Sequence, residues 1–276
     1  MKKNYTEEKF QIETRYGNIN CLLLKPKNNV YSKEDTVGVL WIHGGGYIFG
    51  KKEVIYTARG LDFVNIFSCV VLTFDYTLAR KSPYPRALLE SYDVLCYFLD
   101  HADEFGFNKD KIIVAGKSAG GGLAIALSMY VLDNTDIKIS YQIPLYPMID
   151  CYDTETNRNN SSVYWNSKLN KKSWEIYLRD IEGEIPPYAS PSRRKDYSNL
   201  PPCYTFVGKK ELFYSETKEY IDNLTKAKVD ASFDVYDINV HAFDMTRKRK
   251  KISKLAISNF RNKVKQILED IRKKTP

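Results

Sequence analysis

The sequence predicts an α/β fold in which helices cover both faces of one mostly parallel β-sheet. Two short, continuously apolar runs, Val37–Ile42 and Val70–Phe74, are typical of strands that are buried on both faces. Helix-length segments alternate with such runs along the chain, and this alternation favours parallel strands joined by helices. The length of 276 residues suits one domain of this class, although two small domains would also fit it. We therefore predict a single domain over residues 1–276.

The first half of the chain opens with a predicted hairpin, in which strands over residues 10–16 and 19–24 meet near Gly17-Asn18. Behind it, apolar strands and helical segments alternate. The predicted order is a strand at 37–42, a helix at about 56–67, a strand at 69–75, a helix at 86–101, a strand at 112–116 and a helix that runs to about residue 131. This regular order is the reason for predicting one parallel sheet.

The second half contains a predicted cap. Residues 150–188 are polar, rich in asparagine and contain Trp165 and Trp174. We expect them to form a small helical cap together with residues 1–36. The other predicted elements are a strand at 139–149, a strand at 203–208, a helix at 215–227, a strand at 231–236 and a closing helix whose apolar stripe extends from residue 252 to residue 271.

Composition excludes several classes of protein. Hydrophobic residues make up 43% of the chain, which is too many for a disordered protein. No apolar run approaches the roughly 18 residues that cross a bilayer, and the first residues lack the apolar core of a secretory signal. The five cysteines are far apart and lack metal-ligand spacing. We therefore expect a reduced, cytoplasmic protein with no membrane partner.

The chain is basic, because 42 Lys and Arg residues against 34 Asp and Glu residues give a formal net charge of +8. The densest basic run is Arg247-Lys248-Arg249-Lys250-Lys251. Such a run can contact nucleic acid or an acidic membrane surface. Neither a groove-reading motif nor interleaved aromatic residues accompany it. We therefore interpret it as a solvated turn before the last helix and expect no nucleic-acid partner.

Two glycine-rich motifs follow predicted buried strands. Gly116-Lys117-Ser118-Ala119-Gly120 fits the pattern G-x-S-x-G between a strand and a helix, where a sharp turn exposes the serine hydroxyl. His43-Gly44-Gly45-Gly46 follows the strand at 37–42, and its bare backbone lets N–H groups approach a substrate oxygen. The carboxyl ends of parallel strands form the edge where such sheets bind ligands. Both motifs therefore point to one site that contains a nucleophilic serine.

A nucleophilic serine needs a base, and the chain has three histidines, His43, His101 and His241. His43 belongs to the glycine-rich turn, and His101 ends a predicted helix. His241 lies in a loop after the last predicted strand, so it is the candidate base by elimination and chain order.

The imidazole in turn needs a carboxylate that accepts its second N–H. Glu211 is the first acidic residue after the strand at 203–208, while Glu216 and Asp237 are alternatives. The order Ser118, Glu211, His241 is the serine, acid, histidine order of α/β-hydrolases.

The motifs together resemble the hormone-sensitive-lipase-like family of α/β-hydrolase esterases. The resemblance extends from about residue 37 to residue 243 and rests on the segments 43–46, 75–79, 82–90, 116–121, 146–150 and 190–191. It implies an α/β-hydrolase fold with Ser118 as nucleophile, His241 as base and Glu211 as acid. It further implies that Gly45, Gly46 and Ala119 supply the N–H groups of an oxyanion hole.

The implied activity is that of a serine carboxylesterase. It would hydrolyse small-molecule esters of short, acetyl-like acyl groups through an acyl-enzyme intermediate, without a metal or a cofactor. An amidase or peptidase, or a deacetylase acting on a sugar or a xenobiotic, would use the same three residues. A non-catalytic binding protein would keep the pocket but should lack one of the three residues, and all three are present.

Three features depart from the family pattern. Lys117 stands where the family usually has an acidic residue, and Arg80-Lys81 stand where it usually has Pro-Glu. The segment before the first core strand is also shorter than usual. We expect the Lys117 side chain to extend towards bulk water or a carboxylate such as Asp75, and not into the pocket, since lysine ammonium groups usually reach solvent.

Overall fold

The sheet has eight strands, in a computed structural model that describes residues 3–273. In chain order they are β1 (Tyr5–Thr14), β2 (Gly17–Pro26), β3 (Val37–Ile42), β4 (Val70–Phe74), β5 (Asn108–Lys117), β6 (Tyr141–Leu145), β7 (Cys203–Gly208) and β8 (Ala231–Tyr236). Across the sheet the order is β1-β2-β4-β3-β5-β6-β7-β8. The pairs β1–β2 and β2–β4 are antiparallel, and every other pair is parallel. The predicted α/β fold with a mostly parallel sheet is confirmed.

Helices cover both faces of this sheet. They are α1 (Gly60–Asn65), α2 (Arg86–Asp100), α3 (Ala102–Phe105), α4 (Ala119–Asn134), α5 (Ser167–Tyr177), α6 (Tyr214–Lys226), α7 (Phe243–Thr246) and α8 (Lys251–Lys273). Helices α2 and α4 pack on one face and α1 and α8 on the other. Leu40 of β3 joins the first apolar layer and Trp41 the second, because successive side chains of a strand point to opposite faces. This two-sided burial explains the continuous apolar runs.

Several predicted elements have the bounds seen in the structure, notably the strands β3, β7 and β8. The helix expected at about 56–67 differs. The structure has a 3₁₀ helix at Lys52–Thr57 and then α1, which begins at Gly60. A Cβ atom at Gly60 would lie 2.5 Å from the Trp41 ring, so the chain approaches β3 here more closely than any other residue type allows.

The N-terminal part of the predicted cap is wrong for residues 5–26. These residues form β1 and β2 and extend the sheet at one edge, where residues 21–24 pair with residues 71–74. Ile12, Ile19 and Leu23 are buried in the apolar layer that contains α2.

Residues 150–188 contain one α-helix, α5, in an otherwise irregular segment. The Asn166 side chain accepts a hydrogen bond from the Leu169 N–H group at 3.0 Å and caps the start of this helix. Tyr177, at the end of α5, stacks on Tyr47 of the glycine-rich turn with 4.0 Å between ring centroids. The segment thus packs directly on the turn that follows β3.

Candidate active site

Ser118 lies on a strained turn between β5 and α4. Its φ of +54° is a conformation that residues other than glycine rarely adopt. The strain is held by backbone hydrogen bonds, from the Ser118 N–H to the Leu145 carbonyl at 2.9 Å and from the Met148 N–H to the Ser118 carbonyl at 3.1 Å. A Cβ atom at Gly120 would overlap the Ile42 and His43 carbonyl groups, so only glycine lets α4 begin this close to β3.

The structure brings Ser118, His241 and Glu211 together. The Ser118 hydroxyl donates to His241 Nε2 at 2.9 Å, and His241 Nδ1 donates to a Glu211 oxygen at 2.6 Å. The three residues follow β5, β8 and β7, so they meet at the carboxyl edge of the sheet. All are buried, with Ser118 5%, His241 6% and Glu211 1% exposed. A hydroxyl, an imidazole and a carboxylate in this order can move a proton away from the serine.

The other two histidines do not contact Ser118. His101 ends α2, where its Nδ1 donates to the Tyr97 carbonyl at 2.9 Å and its ring stacks on Tyr97. His43 is buried, donates from Nδ1 to the Gly44 carbonyl at 3.0 Å and stacks on Tyr76. Elimination from the sequence therefore identified the histidine that contacts Ser118.

The alternative acids have other partners. Glu216 is buried and accepts hydrogen bonds from the Ile149 N–H at 2.7 Å and the Asp150 N–H at 3.3 Å. Asp237 is exposed and forms an ion pair with Lys210 at 2.7 Å. Only Glu211 among the three contacts His241. Burial raises the pKa of the Glu211 carboxyl, and the adjacent His241 opposes that rise.

The glycine-rich turn and the start of α4 contain N–H groups that can bind a substrate oxygen. Within residues 3–273, no protein group accepts a hydrogen bond from the N–H groups of Gly45, Gly46 or Ala119. Gly45 and Gly46 have φ angles of +134° and +60°, and the Gly45 carbonyl is held by the Phe49 N–H at 2.9 Å. Ala119 is the first residue of α4, whose N-terminal dipole also favours negative charge. These groups can stabilise an oxyanion.

A model of the alpha/beta hydrolase fold family matches residues 39–245 of the chain. The chain belongs to the alpha/beta hydrolase family. The match includes both glycine-rich motifs and the loop that contains His241, and it confirms the resemblance to hormone-sensitive-lipase-like esterases. No group of three or more His, Cys, Asp or Glu residues that could hold a metal occurs among the residues that the structure describes. The same residues contain no helix long and apolar enough to span a membrane.

Curated relatives of this α/β-hydrolase include enzymes named for ester hydrolysis. An arylesterase of Saccharolobus solfataricus is 30% identical over 208 residues, which are 74% of this chain and 67% of the relative. A putative alpha/beta hydrolase of Acanthamoeba polyphaga mimivirus is 29% identical over 219 residues, which are 77% of this chain and 61% of the relative. The chain therefore spans about three fifths to two thirds of the length of these proteins.

Solved structures of the same fold include an esterase of Pyrobaculum calidifontis, with 26% identity and a TM-score of 0.83 over 95% of this chain and 85% of that one. The esterase LipW of Mycobacterium marinum superposes with a TM-score of 0.87 over 98% of this chain and 83% of that one, at 22% identity. The second likeness shows the fold alone.

Sequence reasoning missed a buried network behind His241 in this α/β-hydrolase. Asp244, in α7, accepts a hydrogen bond from the Tyr146 hydroxyl at 3.0 Å and one from Arg59 Nε at 3.1 Å. The Tyr146 ring packs edge-on against His241 with 5.2 Å between centroids. The only sequence signal was an acidic residue three positions after the histidine. The network fixes the loop that carries His241.

Asp75 is not the partner of Lys117. Asp75 accepts a hydrogen bond from the Lys52 ammonium at 2.6 Å and from the Lys52 N–H at 2.7 Å. The Lys117 side chain passes beside Gly44, and the carboxylate whose charge acts on it is Asp244. The Lys117 side chain is half-buried; burial lowers the pKa of its ammonium, and the charge of Asp244 opposes this change. The prediction that Asp75 is the carboxylate near Lys117 is therefore wrong.

Trp165 is a further residue at the site for which the sequence predicted no role beyond the cap. Its ring packs against Gly46, where an added Cβ atom would overlap it. The indole N–H donates to the Asn170 side chain at 3.2 Å, and this bond fixes the ring. The cap segment thus packs an aromatic ring against the glycine-rich turn.

We expect acid to destabilise the folded chain through His43. Burial lowers the pKa of His43 to about 4, while the imidazole in the unfolded chain has a pKa of about 6.5. Between these values the unfolded state binds more protons, so the free energy of unfolding falls as the pH falls. The loss from about pH 7 to about pH 4 should be about 3 kcal/mol, measured by urea unfolding.

The variant His43→Gln should lose this contribution. The matched control His101→Gln should keep it, because His101 lies at the end of α2, away from the buried turn. If both variants retained the same difference in unfolding free energy between the two pH values, the assignment to His43 would be wrong.

Proposed function

We propose that this α/β-hydrolase is a serine carboxylesterase that acts on esters of short acyl groups. The observation that carries the proposal is the hydrogen-bonded series from Ser118 through His241 to Glu211, at 2.9 and 2.6 Å. These residues lie beside three unoccupied N–H donors at the carboxyl edge of the sheet. Two relatives support an ester substrate: the arylesterase, and an acetyl esterase of Salmonella paratyphi A that is 25% identical over 241 residues, which are 84% of this chain and 71% of the relative.

The first half of the reaction forms an acyl-enzyme. Ser118 Oγ attacks the ester carbonyl carbon while His241 Nε2 accepts the serine proton. Glu211 holds the opposite N–H of the ring and stabilises the imidazolium. The carbonyl electron pair moves onto oxygen, which the N–H groups of Gly45, Gly46 and Ala119 stabilise. When this oxyanion collapses, the bond to the alcohol oxygen breaks and His241 protonates the leaving alkoxide.

The second half repeats these steps with water. His241 removes a proton from a water molecule, whose oxygen attacks the acyl carbon. The oxyanion forms again at the same N–H groups. Its collapse breaks the bond to Ser118 Oγ, and His241 returns a proton to the serine. A carboxylic acid is released, and the three side chains regain their initial protonation.

The preference for short acyl groups rests on Trp165. Its ring packs against Gly46, one of the three residues whose N–H groups we propose to bind the ester oxygen. The hydrogen bond to Asn170 holds it there, and it is only 7% exposed. A long acyl chain on this side would have to displace a fixed aromatic ring. Acetyl-like groups need no such displacement.

We expect Ser118→Ala to lose ester hydrolysis by a factor on the order of 10⁶ while it folds normally, because no other group supplies the nucleophile. The measurement is kcat/KM for p-nitrophenyl acetate. His241→Ala should be comparably inactive, whereas the control His101→Ala should retain most activity. Substantial hydrolysis by a correctly folded Ser118→Ala variant would end the proposal.

Glu211→Gln should lower kcat by about 10⁴-fold, since an amide cannot stabilise the imidazolium and holds the wrong tautomer. The control Asp237→Asn removes an exposed carboxylate that pairs with Lys210 and should leave kcat nearly unchanged. The acid would be misassigned if Asp237→Asn were the inactive variant and Glu211→Gln the active one.

Trp165→Ala should broaden the acyl-chain range by opening space beside Gly46. The ratio of kcat/KM for p-nitrophenyl octanoate to that for the acetate should rise at least about tenfold. Tyr164→Ala is the control, because the neighbouring Tyr164 side chain is exposed. An unchanged ratio in Trp165→Ala would place the limit on chain length elsewhere, without affecting the assignment of Ser118.

A further inference from the structure

A groove of about 570 Å³ lies between Arg59, which precedes α1, and the N-terminal half of α8, outside the candidate active site. Among the described residues that line it, five are cationic and none is Asp or Glu. The cationic residues are Arg59, Lys248, Arg249, Lys254 and Arg261. Ile257, Ser258 and Asn262 complete the lining. We call this feature the cationic groove.

Two of the three arginines of the cationic groove, Arg59 and Arg261, are fixed by buried carboxylates. Asp62 accepts a hydrogen bond from Arg59 Nη1 at 2.8 Å, and it also accepts from Arg261 Nε at 3.1 Å and Nη2 at 3.0 Å. Asp244 accepts from Arg59 Nε at 3.1 Å. One nitrogen of each guanidinium, Arg59 Nη2 and Arg261 Nη1, donates to no group within residues 3–273. Arg59 and Arg261 are therefore held in place, and each keeps one nitrogen that can donate to a bound anion.

The remaining cations lack partners. In the part of the chain that the structure describes, no carboxylate oxygen lies within 4.0 Å of the charged nitrogens of Lys248, Arg249 or Lys254. Asp62 and Asp244 balance two of the five cations, so three positive charges in the groove remain uncompensated. Like charges held this closely repel one another, and a bound anion would remove that repulsion.

We propose that the cationic groove binds a small anion with two or more linked phosphate groups. Planar guanidinium groups match the oxygens of a phosphate, and lysine ammonium groups bind phosphates as point charges. The volume of about 570 Å³ is within the range of small-molecule sites. A single phosphate engages only part of five cations, whereas linked phosphates reach both the fixed arginines and the lysines.

Two features favour a soluble small anion over a macromolecule. The lining contains no aromatic side chain on which a nucleic-acid base could stack, and the groove holds a single apolar side chain, Ile257. A membrane surface would contact the groove only at its mouth, whereas the fixed arginines lie partly buried, with the Arg59 side chain 12% exposed. The basic run at 247–251, interpreted from the sequence as a solvated turn, supplies two of the cations.

The test is titration calorimetry of the full chain with inorganic triphosphate. We expect saturable binding of about one triphosphate per chain at about 0.05 M salt, and clearly weaker binding at about 0.3 M salt because the interaction is electrostatic. The variant Lys248→Gln/Arg249→Gln/Lys254→Gln leaves Arg59 and its buried contacts untouched. Its affinity for triphosphate should fall at least about tenfold.

A matched control removes the same charge elsewhere. Lys27, Lys195 and Lys226 are exposed lysines outside the groove, and Lys27→Gln/Lys195→Gln/Lys226→Gln should bind triphosphate nearly as tightly as the unaltered chain. Thermal unfolding without ligand confirms that both triple variants are folded. Equal weakening in the two triple variants would mean non-specific attraction to net charge, and it would overturn the proposal.

Two further probes separate the sources of phosphate. Vesicles of phosphatidylcholine with phosphatidic acid offer lipid headgroups, and a short DNA duplex offers nucleic-acid phosphates. We expect triphosphate to bind more tightly than either of them on a per-phosphate basis. Binding to vesicles or duplex without measurable triphosphate binding would overturn the proposal in favour of a macromolecular partner.

Discussion

The close approach of α4 to β3 is the constraint on which the rest of the site depends. Gly120 allows the first turn of α4 to contact the Ile42 and His43 carbonyl groups. A Cβ atom at this position would lie only 2.2 Å from the Ile42 oxygen and 2.4 Å from the His43 oxygen. The contact brings the turn that holds Ser118 beside the glycine-rich turn that holds Gly45 and Gly46. The Ser118 backbone is strained, at a cost of about 1–3 kcal/mol, and its backbone hydrogen bonds hold it in this conformation.

Three buried carboxyl groups, those of Glu211, Asp244 and Glu216, are each compensated in a different way. Glu211 has His241, Asp244 has Arg59 and the Tyr146 hydroxyl, and Glu216 has the N–H groups of the chain at 149 and 150. Burial raises the pKa of all three, because a buried carboxylate loses its hydration. Their partners tie together the loops after β6, β7 and β8. The buried carboxyl groups and their partners therefore also hold these loops in position.

Aromatic packing connects the cap segment to the same turn. Tyr47 stacks on Tyr177 of α5, and its hydroxyl donates to the Met148 carbonyl at 2.9 Å. Trp165 packs on Gly46 from the same segment. The cap segment, the glycine-rich turn and the loop after β6 are therefore packed together. The position of Trp165 against Gly46 is the basis for proposing short acyl substrates.

The sequence by itself determined the parts of this protein that depend on local pattern and chain order. Continuous apolar runs predicted β3 and β4, and the two glycine-rich motifs with a short set of histidines predicted the contact between Ser118 and His241 that the structure contains. Tertiary structure alone decided that residues 5–26 join the sheet, that Asp75 pairs with Lys52, and that Trp165 lies against Gly46. Each of these contacts joins residues about twenty or more positions apart, and local periodicity carries no information about such partners because it records only which face of an element is apolar.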